Sequence, residues 1–149
     1  MEVVSFQTHV EIIIFALLFL MFGAFMRRDR PRRVWIIEDN DFDTHLLKTN
    51  LDVDDIAVTY LNSAEEFRKR ILRPWRYPKP DQVLVDFHLE RNIKGTQITG
   101  LCETNGIDCL LMTGDDREIL GISEEKILRK SATDEFYNKI STWMHKGIA

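Results

Sequence analysis

VWIIEDNDFDTHLL, residues 34–47, changes character in its middle: four apolar residues, Val34 to Ile37, run directly into Glu38, Asp39, Asn40, Asp41 and Asp43. An uninterrupted apolar run suits a strand covered on both faces, and carboxylates at its end belong on the rim of the sheet. Similar runs recur at Ile56–Tyr60 (IAVTY), Gln82–Val85 (QVLV), Cys109–Met112 (CLLM) and Lys126–Leu128 (KIL), which predicts five strands. Helical periodicity falls between and after them, over Phe42–Leu51, Ser63–Leu72, Thr96–Asn105, a brief piece at Asp116–Leu120, and Asp134–Met144. Ser63 and Glu66 have the spacing of a capping box at the start of the second helix.

Strands alternating with helices in this way predict an α/β fold, a five-stranded parallel doubly wound sheet with helices on both faces and right-handed crossovers. Ligands of such sheets bind beyond the carboxyl ends of the strands. That rule selects Glu38 and Asp39 after the first strand, Asp86 after the third, Thr113 after the fourth and Lys130 after the fifth. Three carboxylates drawn together repel one another unless a hard cation joins them, and oxygen ligands at an open site suit Mg²⁺. Beside such a cation a carboxylate can attack phosphorus, while an ammonium neutralises charge on the phosphoryl oxygens. Asp86 fits the nucleophile, Lys130 the clamp, and the Thr113 hydroxyl a hydrogen-bond donor to one phosphoryl oxygen. Each residue has a blander reading: an acidic pair complements a helix N-terminus, Asp86 and Thr113-Gly114 suit turns, and Lys130-Ser131 suits a charged surface with a cap. Their order and their common place at strand ends favour the site.

With these residues in order, the stretch from about Arg33 to His145 resembles the receiver domain of two-component response regulators. VWIIEDNDFDTHLL is similar to that family's first strand, acidic pair and first helix; VLVDFHL, LLMTG and ILRKS are similar to its phosphoacceptor, hydroxyl and lysine segments. The resemblance implies the flavodoxin-like receiver fold and a phosphoryl group accepted on Asp86 from a histidine kinase or phosphotransfer protein. It implies Mg²⁺ ligated by Asp39, Asp86 and the main-chain carbonyl of His88, with Glu38 assisting through water. A phosphoacceptor signalling through protein partners is expected, rather than an enzyme.

Several positions depart from the family pattern. Glu90 stands where proline is usual four residues after the phosphoacceptor, Gly114 replaces alanine, and Ser131 replaces the proline after the lysine. Ile127 occupies the place of the rotating aromatic, so no Tyr or Phe flip can report phosphorylation. Only 17 positions separate Thr113 from Lys130, which predicts a fourth helix cut to about one turn. Few residues follow the last predicted helix, so a stand-alone receiver without an output domain is expected.

The 149 residues suit one domain. Basic residues cluster at Arg27, Arg28, Arg30, Arg32 and Arg33, and from Val34 onward 15 Lys and Arg face 21 Asp and Glu, a net of −6 that disfavours binding nucleic acid. Cys102 and Cys109 lack metal-ligand spacing to a histidine and read as reduced core residues of a cytosolic domain. Ile12 to Met26 holds fifteen residues without a charge, about 22 Å of helix, short of the roughly 30 Å hydrocarbon core unless its flanks assist. A signal peptide is disfavoured by Glu2 and Glu11 and by the missing basic start, and a buried helix by apolar residues on every side. The expectation is a tail over 1–11, a transmembrane helix over 12–26, a basic linker over 27–33 and a receiver domain over 34–149. With the arginines on its C-terminal side, that helix would place the N-terminus outside and the receiver at the cytoplasmic face of the inner membrane.

Two other functions compete. The same fold without phosphorylation would make a pseudo-receiver, an interaction module, which the altered switch positions favour. A haloacid-dehalogenase-like phosphatase also uses Asp, Thr, Lys and Mg²⁺, and D-F-D-T from Asp41 is faintly similar to its nucleophile motif. That motif belongs directly at a strand end, and Asp134 and Glu135, its second acidic pair, fall on a predicted helix. Phe136, Ile140 and Trp143 read as the core stripe of the last helix, and Trp75 and Tyr77 in RPWRYPKP as packing on the sheet edge ahead of docking.

Overall fold

Every one of the five apolar runs forms a strand in a computed structural model of the chain, which describes residues 9, 11–21, 30–89, 94–116, 119 and 121–146. The strands are β1 (Arg32–Ile37), β2 (Ile56–Leu61), β3 (Gln82–Asp86), β4 (Asp108–Thr113) and β5 (Ile127–Arg129). They pair in the order β2-β1-β3-β4-β5, all parallel. The helices are α1 (Asp41–Asn50), α2 (Ala64–Ile71), α3 (Gly95–Thr104) and α4 (Asp134–His145). A single 3₁₀ turn, Glu124–Lys126, leads into β5. Asp116 and Ile119, where a brief helix was expected, are not helical; 117, 118 and 120 lie outside the described residues.

Side chains alternate across the sheet and divide the core in two. Trp35, Ile37, Val83 and Val85 pack with Phe67 of α2 and Ile98 of α3. Val34, Ile36, Leu84 and Met112 face the other way, onto Leu47 of α1 and Ile140 of α4. As expected, Phe136 and Ile140 are buried and Trp143 packs against the second core, where its Nε1–H donates to Asp108 Oδ2 at 3.0 Å. Cys102 and Cys109 are free and buried, and hydrogen bonding with Cys102, together with burial, pushes the Cys109 thiol well up. The Pro-rich link splits its aromatics. Tyr77 packs against the first core, beneath the Arg70 guanidinium at 5.0 Å, whereas Trp75 is 81% exposed, so packing on the sheet edge is corrected for Trp75.

Local chemistry sets two of the helix starts. Asn40 Oδ1 accepts from the backbone N–H of Phe42 and Asp43 and starts α1 directly behind the acidic pair. Ser63 Oγ accepts from Glu66 N–H at 3.2 Å and starts α2. At α3 the constraint is space. A Cβ on Gly95 would lie 2.3 Å from the Asp86 carbonyl oxygen and 2.9 Å from Phe87 Cα, so only glycine lets the helix begin against the end of β3.

The chain divides into two units, Met1–Pro31 and Arg32–Ala149. In the first, His9 and residues 11–21 are helical with exposed side chains. Among the described residues no helix is long and apolar enough to cross a membrane, which overturns the expected span over 12–26 and with it the single-pass placement at the inner membrane. The described helical run 11–21 rises about 16 Å, roughly half of a hydrocarbon core. Residues 22–26 of that expected span lie outside the described residues.

Candidate functional site

Parallel strands deliver their C-terminal ends to one rim, and the register fixes which residues meet there. Asp86 ends β3 opposite Met112; Thr113, one residue further along β4, lies opposite Arg129 of β5. Lys130 comes next, and its backbone N–H donates to the Thr113 carbonyl at 2.7 Å. Glu38 leaves β1 with its N–H bonded to the Leu61 carbonyl at 3.1 Å, and Asp39 follows.

Glu38, Asp39 and Asp86 each offer a carboxylate oxygen, all within 4.8 Å of one another. Glu38 and Asp86 are buried, whereas Asp39 is half-buried. Lys130 reaches across this cluster, its Nζ lying 2.9 Å from Glu38 Oε2 and 2.8 Å from Asp86 Oδ1. A third contact runs to Asp43 Oδ2 on the first turn of α1, also at 2.8 Å. Backbone amides hold the far oxygens: His88 N–H donates to Asp86 Oδ2 at 2.8 Å and Asn40 N–H to Glu38 Oε1 at 3.1 Å. Thr113 is fully buried; its Oγ1 accepts from Asp115 N–H at 3.0 Å, which leaves the hydroxyl proton as a donor.

Burial raises the Glu38 carboxyl above its usual range, and the Asp86 charge adds to the effect, while the hydrogen bond from Lys130 works against it. For Lys130 burial alone would lower the pKa. Hydrogen bonds to Asp43, Asp86 and Glu38 outweigh that burial, so the ammonium holds its proton far above neutrality. The rim therefore combines converging oxygen ligands, which suit a hard divalent cation, with a fixed positive charge and a buried hydroxyl donor.

All the residues selected from the sequence, Glu38, Asp39, Asp86, Thr113 and Lys130, stand on this rim, with His88 two residues beyond Asp86. Asp43 was not selected. Its signal was its place in the first helical turn, at the third residue after the Asn40 cap, on a helix that starts immediately behind the acidic pair. Asp41, the alternative nucleophile of the phosphatase reading, is the first residue of α1 and does not end a strand, and Asp134 and Glu135 lie on α4. Ile127 opens β5 where the family carries its aromatic, and Glu90 lies outside the described residues.

No family model matches the sequence, and no curated protein does either. Solved structures do match. A response regulator in red light signalling of R. palustris superposes with a TM-score of 0.62 at 19% identity, over 79% of this chain and 96% of that one. The response regulator TrrA of Thermotoga maritima, in complex with Mg²⁺ and BeF, gives 0.59 at 20% identity, over 74% and 97%. A CheY-like receiver domain from Methanospirillum hungatei gives 0.55 at 16% identity, over 77% and 94%. At such identities the likeness is one of fold: the chain has the five-stranded parallel α/β fold of response regulator receiver domains.

Proposed function

We propose that this chain is a phosphoacceptor: Asp86 takes a phosphoryl group from a histidine kinase or phosphotransfer protein, and the modified domain signals by binding protein partners. The observation that carries this reading is the Lys130 ammonium, held within 2.9 Å of both Glu38 and Asp86 at the carboxyl rim of the sheet. An Asp86 oxygen attacks phosphorus, an acyl phosphate forms, and the bond from phosphorus to the donor breaks, with the donor keeping that electron pair. Asp39 and Asp86 would hold Mg²⁺, joined by the His88 carbonyl, with Glu38 acting through water; the cation would supply charge neutralisation at the phosphoryl oxygens. Lys130 pairs with one of those oxygens and the Thr113 hydroxyl donates to another. His88 N–H keeps Asp86 oriented throughout.

The purified full chain, incubated with acetyl phosphate and Mg²⁺, should gain about 80 Da by intact mass, labile to base. Asp86→Asn should gain nothing. No gain in the unsubstituted chain would overturn the reading and leave the fold acting as an unphosphorylated interaction module, whose partner binding Asp86→Asn would not alter.

A further inference from the structure

Two hydrogen-bonded turns of opposite charge flank the N-terminal rim of the sheet, the end away from Asp86 and Lys130. The first precedes β3. From Phe67 to Pro80 the chain holds six Lys and Arg and no Asp or Glu. The Arg73 carbonyl accepts from the N–H groups of Arg76 and Tyr77, at 3.0 and 2.9 Å. Pro74 restricts the backbone of that turn, and Tyr77 anchors it on the first core. Trp75, between them, is therefore held in solvent, 81% exposed, with Leu72 exposed three residues before it. Arg73 and Arg76 form no ion pair among the described residues. A tryptophan flanked by arginines on a fixed backbone has the composition of a protein-interface hot spot.

The second turn, Asp52 to Asp55, precedes β2. The Val53 carbonyl accepts from Ile56 N–H at 3.0 Å, and Asp52 Oδ1 accepts from Asp54 N–H at 3.2 Å. All four residues of the turn are exposed, and Asp52, Asp54 and Asp55 likewise form no ion pair among the described residues. β2 and β3 are the two neighbours of β1, so they enter the sheet roughly 10 Å apart. The acidic turn follows α1, which packs on the second core, and the basic turn follows α2, which packs on the first, so the two flank β1 from opposite faces of the sheet. We infer that this rim is a self-complementary interface with a second copy of the chain. A two-fold axis in the plane of the rim, between the turns, lays each basic turn on the other copy's acidic one, and two identical contacts close the assembly at a dimer. Arg73 and Arg76 then meet the aspartates, and Trp75 covers Val53. A flat anionic surface such as a layer of lipid headgroups would meet the three aspartates as well as the arginines, so charge favours the second copy. The interface lies at the opposite end from Asp86 and does not depend on the phosphoacceptor reading.

The test is sedimentation velocity on the purified full chain over a concentration series. The unsubstituted chain should pass from monomer to dimer. Arg76→Glu and Asp54→Lys each set like charges against one another at both contacts, and each should weaken dimerisation roughly tenfold. An equimolar mixture of the two variants should dimerise again, because the mixed pair has one native contact and one with its charges exchanged. Trp75→Ala should weaken dimerisation about fivefold, and added NaCl should weaken it as well. All three side chains are exposed, so the variants should keep the fold, which circular dichroism checks. Asp86→Asn should dimerise like the unsubstituted chain, so that loss of phosphorylation and loss of dimerisation are told apart. Three results would overturn the inference: a monomer at every concentration, single variants that associate like the unsubstituted chain, or a mixture that stays as monomeric as its components. The first would leave the basic turn to a different acidic protein.

Discussion

Glu38 and Asp86 are buried carboxylates facing each other across β1 and β3, and Lys130 alone does not return Glu38 to its ordinary acidity. A carboxyl whose folded pKa is raised binds its proton more readily in the folded chain than in the unfolded one. Its contribution to stability is therefore complete below the unfolded value of 4.5 and is lost as pH rises through the folded value. Glu38→Gln, a neutral isostere, should be more stable than the unsubstituted chain at pH 7 and indistinguishable from it below pH 4.5, in urea titrations without Mg²⁺. The same substitution should weaken Mg²⁺-dependent phosphorylation, so stability and function would move in opposite directions. Equal urea midpoints at pH 7 would show that Lys130 compensates Glu38 fully. At this scale the sequence was readable wherever a residue ended a strand, because the strand itself carries Asp86, Thr113 and Lys130 to the rim. Asp43 escaped that logic: its role depends on the direction of a helix relative to a lysine 87 residues away.

Among the elements, α3 is the one whose position is set by a single atom's worth of space. Gly95 meets backbone on two sides, and no rotamer change can relieve a clash with backbone. Gly95→Ala should destabilise the chain by about 3 kcal/mol and slow phosphorylation by shifting Asp86. Gly100 is the internal comparison: it lies on the exposed side of the same helix with nothing within 4 Å of its missing Cβ. Gly100→Ala should stabilise by about 0.5–1 kcal/mol, the usual helical difference between these residues. Chemical denaturation of both variants checks the pair, and a loss of stability in Gly100→Ala would refute the packing described for α3. Strands announced themselves in the sequence because β1, β3 and β4, covered on both faces, carry unbroken apolar runs. The segment before β5 did not: its residues lack a helical stripe, and the only helical turn described there is the three-residue Glu124–Lys126. In the N-terminal segment, fifteen uncharged residues are already short of a hydrocarbon core on length, and among the described residues no helix reaches a span.

On the scale of the whole molecule, parallel topology concentrates negative charge. Every strand sends its C-terminal end to the same rim, so carboxylates that follow β1 and end β3 meet there around the Lys130 ammonium. A ligand that binds only the folded rim stabilises the entire domain by mass action. Mg²⁺ at ten times its dissociation constant should therefore add about 1.4 kcal/mol of stability, which for a domain of this size raises the melting temperature by several degrees. The effect should be specific to the rim and not a matter of ionic strength. Asp39→Asn and Asp86→Asn should each abolish the shift, Asp41→Asn should keep it, and NaCl at matched ionic strength should not reproduce it. A scan of melting temperature against MgCl₂ distinguishes these cases. If all four chains rise together, Mg²⁺ is screening the net acidity of the chain rather than occupying Glu38, Asp39 and Asp86, and the Glu38 and Asp86 carboxylates would stand as a charge balance with Lys130.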